Sequence, residues 1–168
     1  MDWLWRKLGA TSRPDHEGMT IHFDGCWTMS ARRWDPELAF QTLSDLIPDD
    51  AFLCLEGGAH SLEISAFINE QAIPAAAKIP HGTIWPRQNA FHFPANATVL
   101  NELSGFATCH ALPEICEHLI VYNTRLVLID WYDVFDRDAY VSATIPEDAV
   151  KKFASLNDAK YYTKTIRD

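Results

Sequence analysis

Apolar residues recur three and four positions apart in four segments of the chain, which is the spacing of one face of an α-helix. The predicted helices cover residues 36–46, 61–70 and 97–109, and a fourth begins at residue 146. In the first helix Leu38, Leu43 and Leu46 share the apolar face, Asp35 is suited to cap the N-terminus, and Pro48 ends the segment. A proline or a capping residue also bounds each of the other three helices.

Short runs of apolar and aromatic residues between these helices predict β-strands. They lie at residues 19–23, 51–55, 83–85, 91–93, 119–122, 126–131 and 140–143. Residues 119–122 and 126–131 are separated by only three polar residues, Asn123, Thr124 and Arg125, and therefore predict an antiparallel hairpin. Its strands are continuously apolar, which indicates that both faces are covered. Helices on both faces of the sheet would satisfy this pattern, and so would a homodimer partner on one face.

These elements predict an α/β or α+β fold. We expect a mixed sheet of about five or six strands, including the central hairpin at residues 119–131, with about four helices on one or both faces. The 168 residues contain no repeat, low-complexity run or flexible linker, so we expect one domain over residues 1–168. Residues 1–10 are expected to dock on that domain, and residues 157–168 to form a basic tail.

The composition is that of a globular protein, with 48% apolar and 22% charged residues. The sequence lacks a secretion signal and a long apolar run, so we expect neither export by that route nor a membrane span. The four cysteines form no C-x-x-C pair and are expected to be reduced, which places the protein in the cytoplasm. No phosphate-loop or dinucleotide motif is present, and no cofactor is predicted.

The charge distribution gives the clearest indication of a partner. The net charge is −9, and residues 34–77 contain eight carboxylates and no Lys or Arg. A surface of this kind does not bind nucleic acid, which requires a basic stripe. It suits a basic protein partner, which complementary charge would attract and select. The predicted contact residues are Asp45, Asp49 and Asp50, aided by the carboxylates between residues 130 and 138.

A second set of polar residues predicts acid–base chemistry. Glu56 and Asp130 follow apolar strand runs, and with His60 and Asp133 they would line a crevice if the strand ends meet at one edge of the sheet. These four are the candidate catalytic residues.

A further candidate pocket lies in the proline-rich segment 71–94. There His81, Trp85, Arg87 and His92 combine stacking rings with a cation that can pair with a carboxylate or phosphate. Packing of this segment onto the domain explains Trp85 better than a ligand does.

His110, Glu114 and His118 recur every four residues, the spacing that would align them on one helix face as metal ligands. Pro113 interrupts the interval and residue 118 lies at the start of a strand, so we expect the three side chains to diverge. No metal site is therefore predicted.

Two functional hypotheses follow. The preferred one is a non-catalytic interaction protein that binds a basic partner, in the manner of an inhibitor or an immunity protein. The alternative is a small metal-assisted or carboxylate–histidine hydrolase.

Overall fold

The computed structural model describes residues 18–22, 25–80 and 88–163, and these form a seven-stranded sheet with five helices. The strands are β1 Trp27–Ala31, β2 Phe52–Glu56, β3 Ala90–Pro94, β4 His118–Tyr122, β5 Val127–Tyr132, β6 Ala139–Val141 and β7 Ala159–Thr163. The helices are α1 Pro36–Leu43, α2 Leu62–Gln71, α3 Ala97–Cys109, α4 Leu112–Ile115 and α5 Glu147–Leu156. The strand order is β3-β2-β4-β5-β6-β1-β7, and every neighbouring pair is antiparallel.

The predicted fold class is confirmed: the sheet is antiparallel and the fold is of the α+β type. Asp35, Ser61 and Asn96 each accept a hydrogen bond from a backbone N–H in the first turn of the following helix, which fixes the starts of α1, α2 and α3. The predicted hairpin is β4–β5. In its loop, Asn123 Oδ1 accepts hydrogen bonds from the N–H groups of Arg125 and Leu126, which closes the turn.

The described helices pack on one face of the sheet only. Their buried side chains share a single core with alternate residues of the strands, including Leu53, Val121, Ile129 and Trp131. The opposite face, called the open face below, is covered over β2, β4 and β5 by irregular chain that includes Ile21 and residues 77–79. This cover, rather than a second helical layer, explains why the hairpin strands are apolar on both faces.

Two strands and one short helix were not predicted from the sequence. β1 and β7 pair with each other, and β7 lies in the segment expected to be a basic tail. Residues 19–22, expected to form a strand, lie against the open face without joining the sheet, and the predicted strand at 83–85 is outside the described residues. Of the helices in the described chain, none combines the length and apolar character needed to cross a membrane.

Candidate functional site

The open face of the sheet carries a histidine between two carboxylates. Antiparallel register places Glu56 of β2 directly opposite His118 of β4, and places His118 directly opposite Tyr132 of β5. Asp130 lies two residues before Tyr132 and therefore points to the same face, diagonally across from His118. The three central strands thus bring together residues that are far apart in the sequence.

Both ring nitrogens of His118 contact a carboxylate. Nε2 lies 2.7 Å from Asp130 Oδ1, and Nδ1 lies 3.4 Å from Glu56 Oε2. The His118 and Glu56 side chains are only 5% and 2% exposed, whereas that of Asp130 is 25% exposed. Burial lowers the pKa of His118, but the hydrogen bonds to Asp130 and Glu56 and the two negative charges outweigh it and raise the pKa to about 9. The ring is therefore an imidazolium at neutral pH.

The His118 ring is protonated, and both of its nitrogens are hydrogen-bonded to carboxylates, which limits the chemistry that the ring can perform. It offers no lone pair to a metal ion, and no group of three or more His, Cys, Asp or Glu in the described segments is arranged to hold one. The exposed side of Asp130 is the part of the network that a solute reaches. The network also links β2, β4 and β5 through charge-assisted hydrogen bonds.

The other two candidate catalytic residues make different contacts. His60 Nδ1 lies 2.9 Å from the carbonyl oxygen of Glu114, and its ring packs edge-on against Phe91. Asp133 lies in the turn after β5, with a φ of 46°, and forms an ion pair of 3.4 Å with Arg137. The structure therefore connects Glu56 with Asp130, through His118, and gives His60 and Asp133 partners of their own.

Of the three residues at four-residue spacing, His110 and Glu114 remain in contact across Pro113, and only His118 lies apart from them. His110 lies at the end of α3, where Nδ1 is 3.2 Å from Glu114 Oε2 and Nε2 is 3.3 Å from Glu63 Oε2. The hydrogen bond to Glu114 raises the pKa of His110, aided by Glu63 and against a smaller effect of burial. His118 is instead held in the sheet by Glu56 and Asp130.

Of the residues predicted to form a pocket in the proline-rich segment, His92 lies in the described part of the chain. His92 shares a hydrogen bond of 2.8 Å with the Tyr122 hydroxyl, which also accepts one from the N–H of Ala76. These contacts attach residues 73–76 to the open face beside β3, where Ile73 also forms a backbone bridge to His92. His81, Trp85 and Arg87 lie outside the described residues.

Three of the helices carry exposed carboxylates and no Lys or Arg. Helices α1, α2 and α3 lie in two segments of the chain, residues 34–77 and 88–124, and neither contains a Lys or Arg. The exposed carboxylates of this acidic helical surface are Asp35, Glu37, Asp45, Asp49, Asp50, Glu63, Glu70 and Glu102. Asp49 and Asp50 lie in the loop between α1 and β2. Asp45 forms an ion pair of 3.0 Å with Lys152 of α5, which lies at the edge of the acidic helical surface.

Within this surface, α2 and α3 enclose a groove of about 420 Å³. The rings of Phe67 and Phe106 meet edge-to-face at 5.3 Å and form its base. Glu63, Glu70 and Glu102 line its sides, together with Gly105 and Cys109. The acidic run predicted from the sequence ends at residue 77 and does not include the α3 side of the groove. The absence of Lys and Arg from residues 88–124 was the signal that would have revealed it.

The two features differ in what they present to other molecules. The His118 network is buried at two of its three residues, whereas the acidic helical surface is exposed along its whole length. Comparison of the chain with family models, with curated proteins and with solved structures finds no match.

Proposed function

We propose that this protein is a non-catalytic interaction protein that binds a basic protein partner through its acidic helical surface. The observation that carries the proposal is the groove between α2 and α3. Three carboxylates surround the two packed phenylalanine rings at its floor, and neither helix contains a Lys or Arg. Surfaces of soluble domains ordinarily intersperse both signs of charge. Carboxylates on a surface without cations repel one another. A basic partner reduces that repulsion when it binds, and the negative charge of the surface also attracts it during association.

The distribution of cations around the layer supports the same partner class. Lys151 and Lys152 lie on α5, beside α1, and Lys152 pairs with Asp45 at the boundary. Within the described part of the chain, the surface from α1 across α3 to α2 forms no such pair with Lys or Arg. A basic toxin or a basic nuclease presents the complementary charge, which fits the role of an inhibitor or an immunity protein.

The redox state of the cysteines is consistent with action in the cytoplasm. Cys26, Cys54, Cys109 and Cys116 are all thiols outside any disulfide, and Cys109 alone among them is exposed. Burial raises the pKa of Cys54 and of Cys116 to about 12, which keeps both as unreactive thiols. Four cysteines that form no disulfide suit a reducing compartment. A homodimer through the open face is an assembly that size measurement in solution would detect.

A carboxylate–histidine hydrolase is the second candidate, and the contact of Glu56, His118 and Asp130 is the observation that favours it. Charged groups buried together are common at catalytic sites. In this reaction class Asp130, the most exposed of the three, would take the proton from water. The interaction protein remains preferred because both nitrogens of His118 are already engaged, so the ring cannot act as the base itself.

Replacing Asp45, Asp49 and Asp50 together by Ser should weaken capture of the basic partner and leave the fold intact. All three side chains are exposed, and of the contacts seen in the described chain only the surface ion pair with Lys152 is lost. Capture from a lysate at low salt, with circular dichroism as the check on folding, measures this. Capture equal to that of the wild type would show that these three aspartates are not part of the interface.

A further inference from the structure

Resting on the proposed function, we propose that the groove between α2 and α3 receives an amphipathic helix of the basic partner. Apolar side chains of that helix enter the groove at Gly105, and its Lys and Arg side chains pair with Glu63, Glu70 and Glu102. The groove therefore has one occupant of stated chemistry, a helix that is apolar on one side and cationic on its flanks.

Gly105 is the residue that opens the groove. It lies within α3 on the exposed side, and a Cβ atom built on it would meet no atom within 4 Å. Neither internal packing nor a positive φ requires glycine here, although glycine inside a helix lowers helix stability relative to alanine. The missing side chain leaves a notch in the helix surface, and a notch of this kind lets another chain approach closely.

The base of the groove is suited to apolar side chains. Phe67 of α2 and Phe106 of α3 pack edge-to-face, and both are almost completely buried by their neighbours. Both rings nevertheless line the groove. An aliphatic or aromatic side chain inserted at Gly105 would contact them and remove their remaining exposed surface from water, which supplies the non-directional part of the binding energy.

The sides of the groove are complementary to a cationic helix. Glu63 and Glu70 are seven residues apart on α2, which places them two turns, about 10.5 Å, apart on one side. Glu102 faces them from α3. A partner helix with basic residues spaced at two turns matches this separation. Glu63 already contacts His110, so Glu70 and Glu102 are the carboxylates most available to a cation of the partner.

Binding of a synthetic peptide tests the proposal. The probe is a fluorescein-labelled, helix-forming peptide of about 18 residues with Leu at heptad a and d positions and Lys or Arg at the flanking positions. Fluorescence anisotropy at low salt should show saturable binding to the wild-type chain. Gly105→Leu, which fills the notch without changing any charge, should weaken binding at least tenfold. The matched control Gly105→Ala should bind within twofold of the wild type.

Each alternative result has a defined meaning. If Gly105→Leu binds the peptide as well as the wild type does, or if the same peptide with Glu in place of Lys and Arg binds equally, docking in this groove is overturned. If Gly105→Leu retains binding but the Asp45, Asp49 and Asp50 variant loses it, the groove is overturned and the basic-partner function stands. If the wild type binds neither this peptide nor any basic protein from a lysate, both fail. Thermal unfolding of each variant checks that the fold is retained.

Discussion

Replacing His118 by Leu should lower the free energy of unfolding by about 3–5 kcal/mol, the range typical of breaking a buried ion pair from one side. Leu fills much of the space of the ring but removes the positive charge between Glu56 and Asp130. The carboxylate of Glu56 is 2% exposed, so water cannot replace what the imidazolium supplied. Denaturant unfolding at pH 7, followed by tryptophan fluorescence, measures the loss.

His110 provides a matched control, because it also lies between two carboxylates. Its partners Glu63 and Glu114 are 68% and 38% exposed, so solvent screens the interaction. His110→Leu should therefore cost much less stability than His118→Leu. A His118→Leu variant that also carries Asp130→Asn should recover part of the loss, since one of the two carboxylate charges is gone. If His110→Leu and His118→Leu lowered the free energy of unfolding equally, burial would not be what makes the His118 ion pairs important for stability.

The second large effect is a loss of stability at alkaline pH. The folded-state pKa of His118 is raised to about 9, above the ordinary histidine value of 6.5, so the folded state holds this proton more tightly than the unfolded state does. The stabilisation is fully present below pH 6.5 and is lost as the pH rises through 9. The shift corresponds to roughly 3 kcal/mol in total.

Denaturant midpoints at several pH values between 6 and 10 measure this dependence. Other groups titrate in or above this range, among them Cys54 and Cys116, whose raised pKa values also reduce stability when the unfolded thiols ionise. His118→Leu corrects for them, because it retains both cysteines. The difference between wild type and variant should shrink as the pH rises toward 9. Parallel profiles would show that His118 does not carry the proton.

Much of the helical layer follows from local sequence. The starts of α1, α2 and α3 were predicted because Asp35, Ser61 and Asn96 satisfy backbone N–H groups only three residues away. The β4–β5 hairpin was equally local, since Asn123 closes its own loop. Signals of this range can be read without knowledge of the rest of the fold.

The elements that were missed depend on distant pairing. β7 reads as a polar, basic segment, and it becomes a strand because β1 pairs along its whole length. The His118 network required the order β2-β4-β5 and its register, which bring Glu56 across 62 sequence positions and Asp130 across 12. Without that order, the sequence shows only the regular spacing of His110, Glu114 and His118 and does not indicate the residues that contact His118.

We propose that the two faces of the molecule serve different purposes, one stability and the other partner binding. On the open face, the charge of His118 is used internally to join the three central strands. On the helical face, the carboxylates have no Lys or Arg within their own helices and are directed outward. We therefore expect changes to Glu56, His118 or Asp130 to alter stability, and changes to Glu63, Glu70 or Glu102 to alter binding.

The most direct test of the proposed function compares the proteins that two neutralised variants retain from a lysate of the source organism. One variant is Glu63→Gln, Glu70→Gln and Glu102→Gln, on the helical surface. The control is Glu147→Gln, Asp148→Asn and Asp158→Asn, which removes the same charge from exposed positions of α5 and the turn before β7. The wild type and the control should retain basic proteins at low salt and release them at high salt, and the helical variant should retain few. Retention of the same basic proteins by the helical variant, or of none by the wild type, would contradict a basic partner bound at this surface.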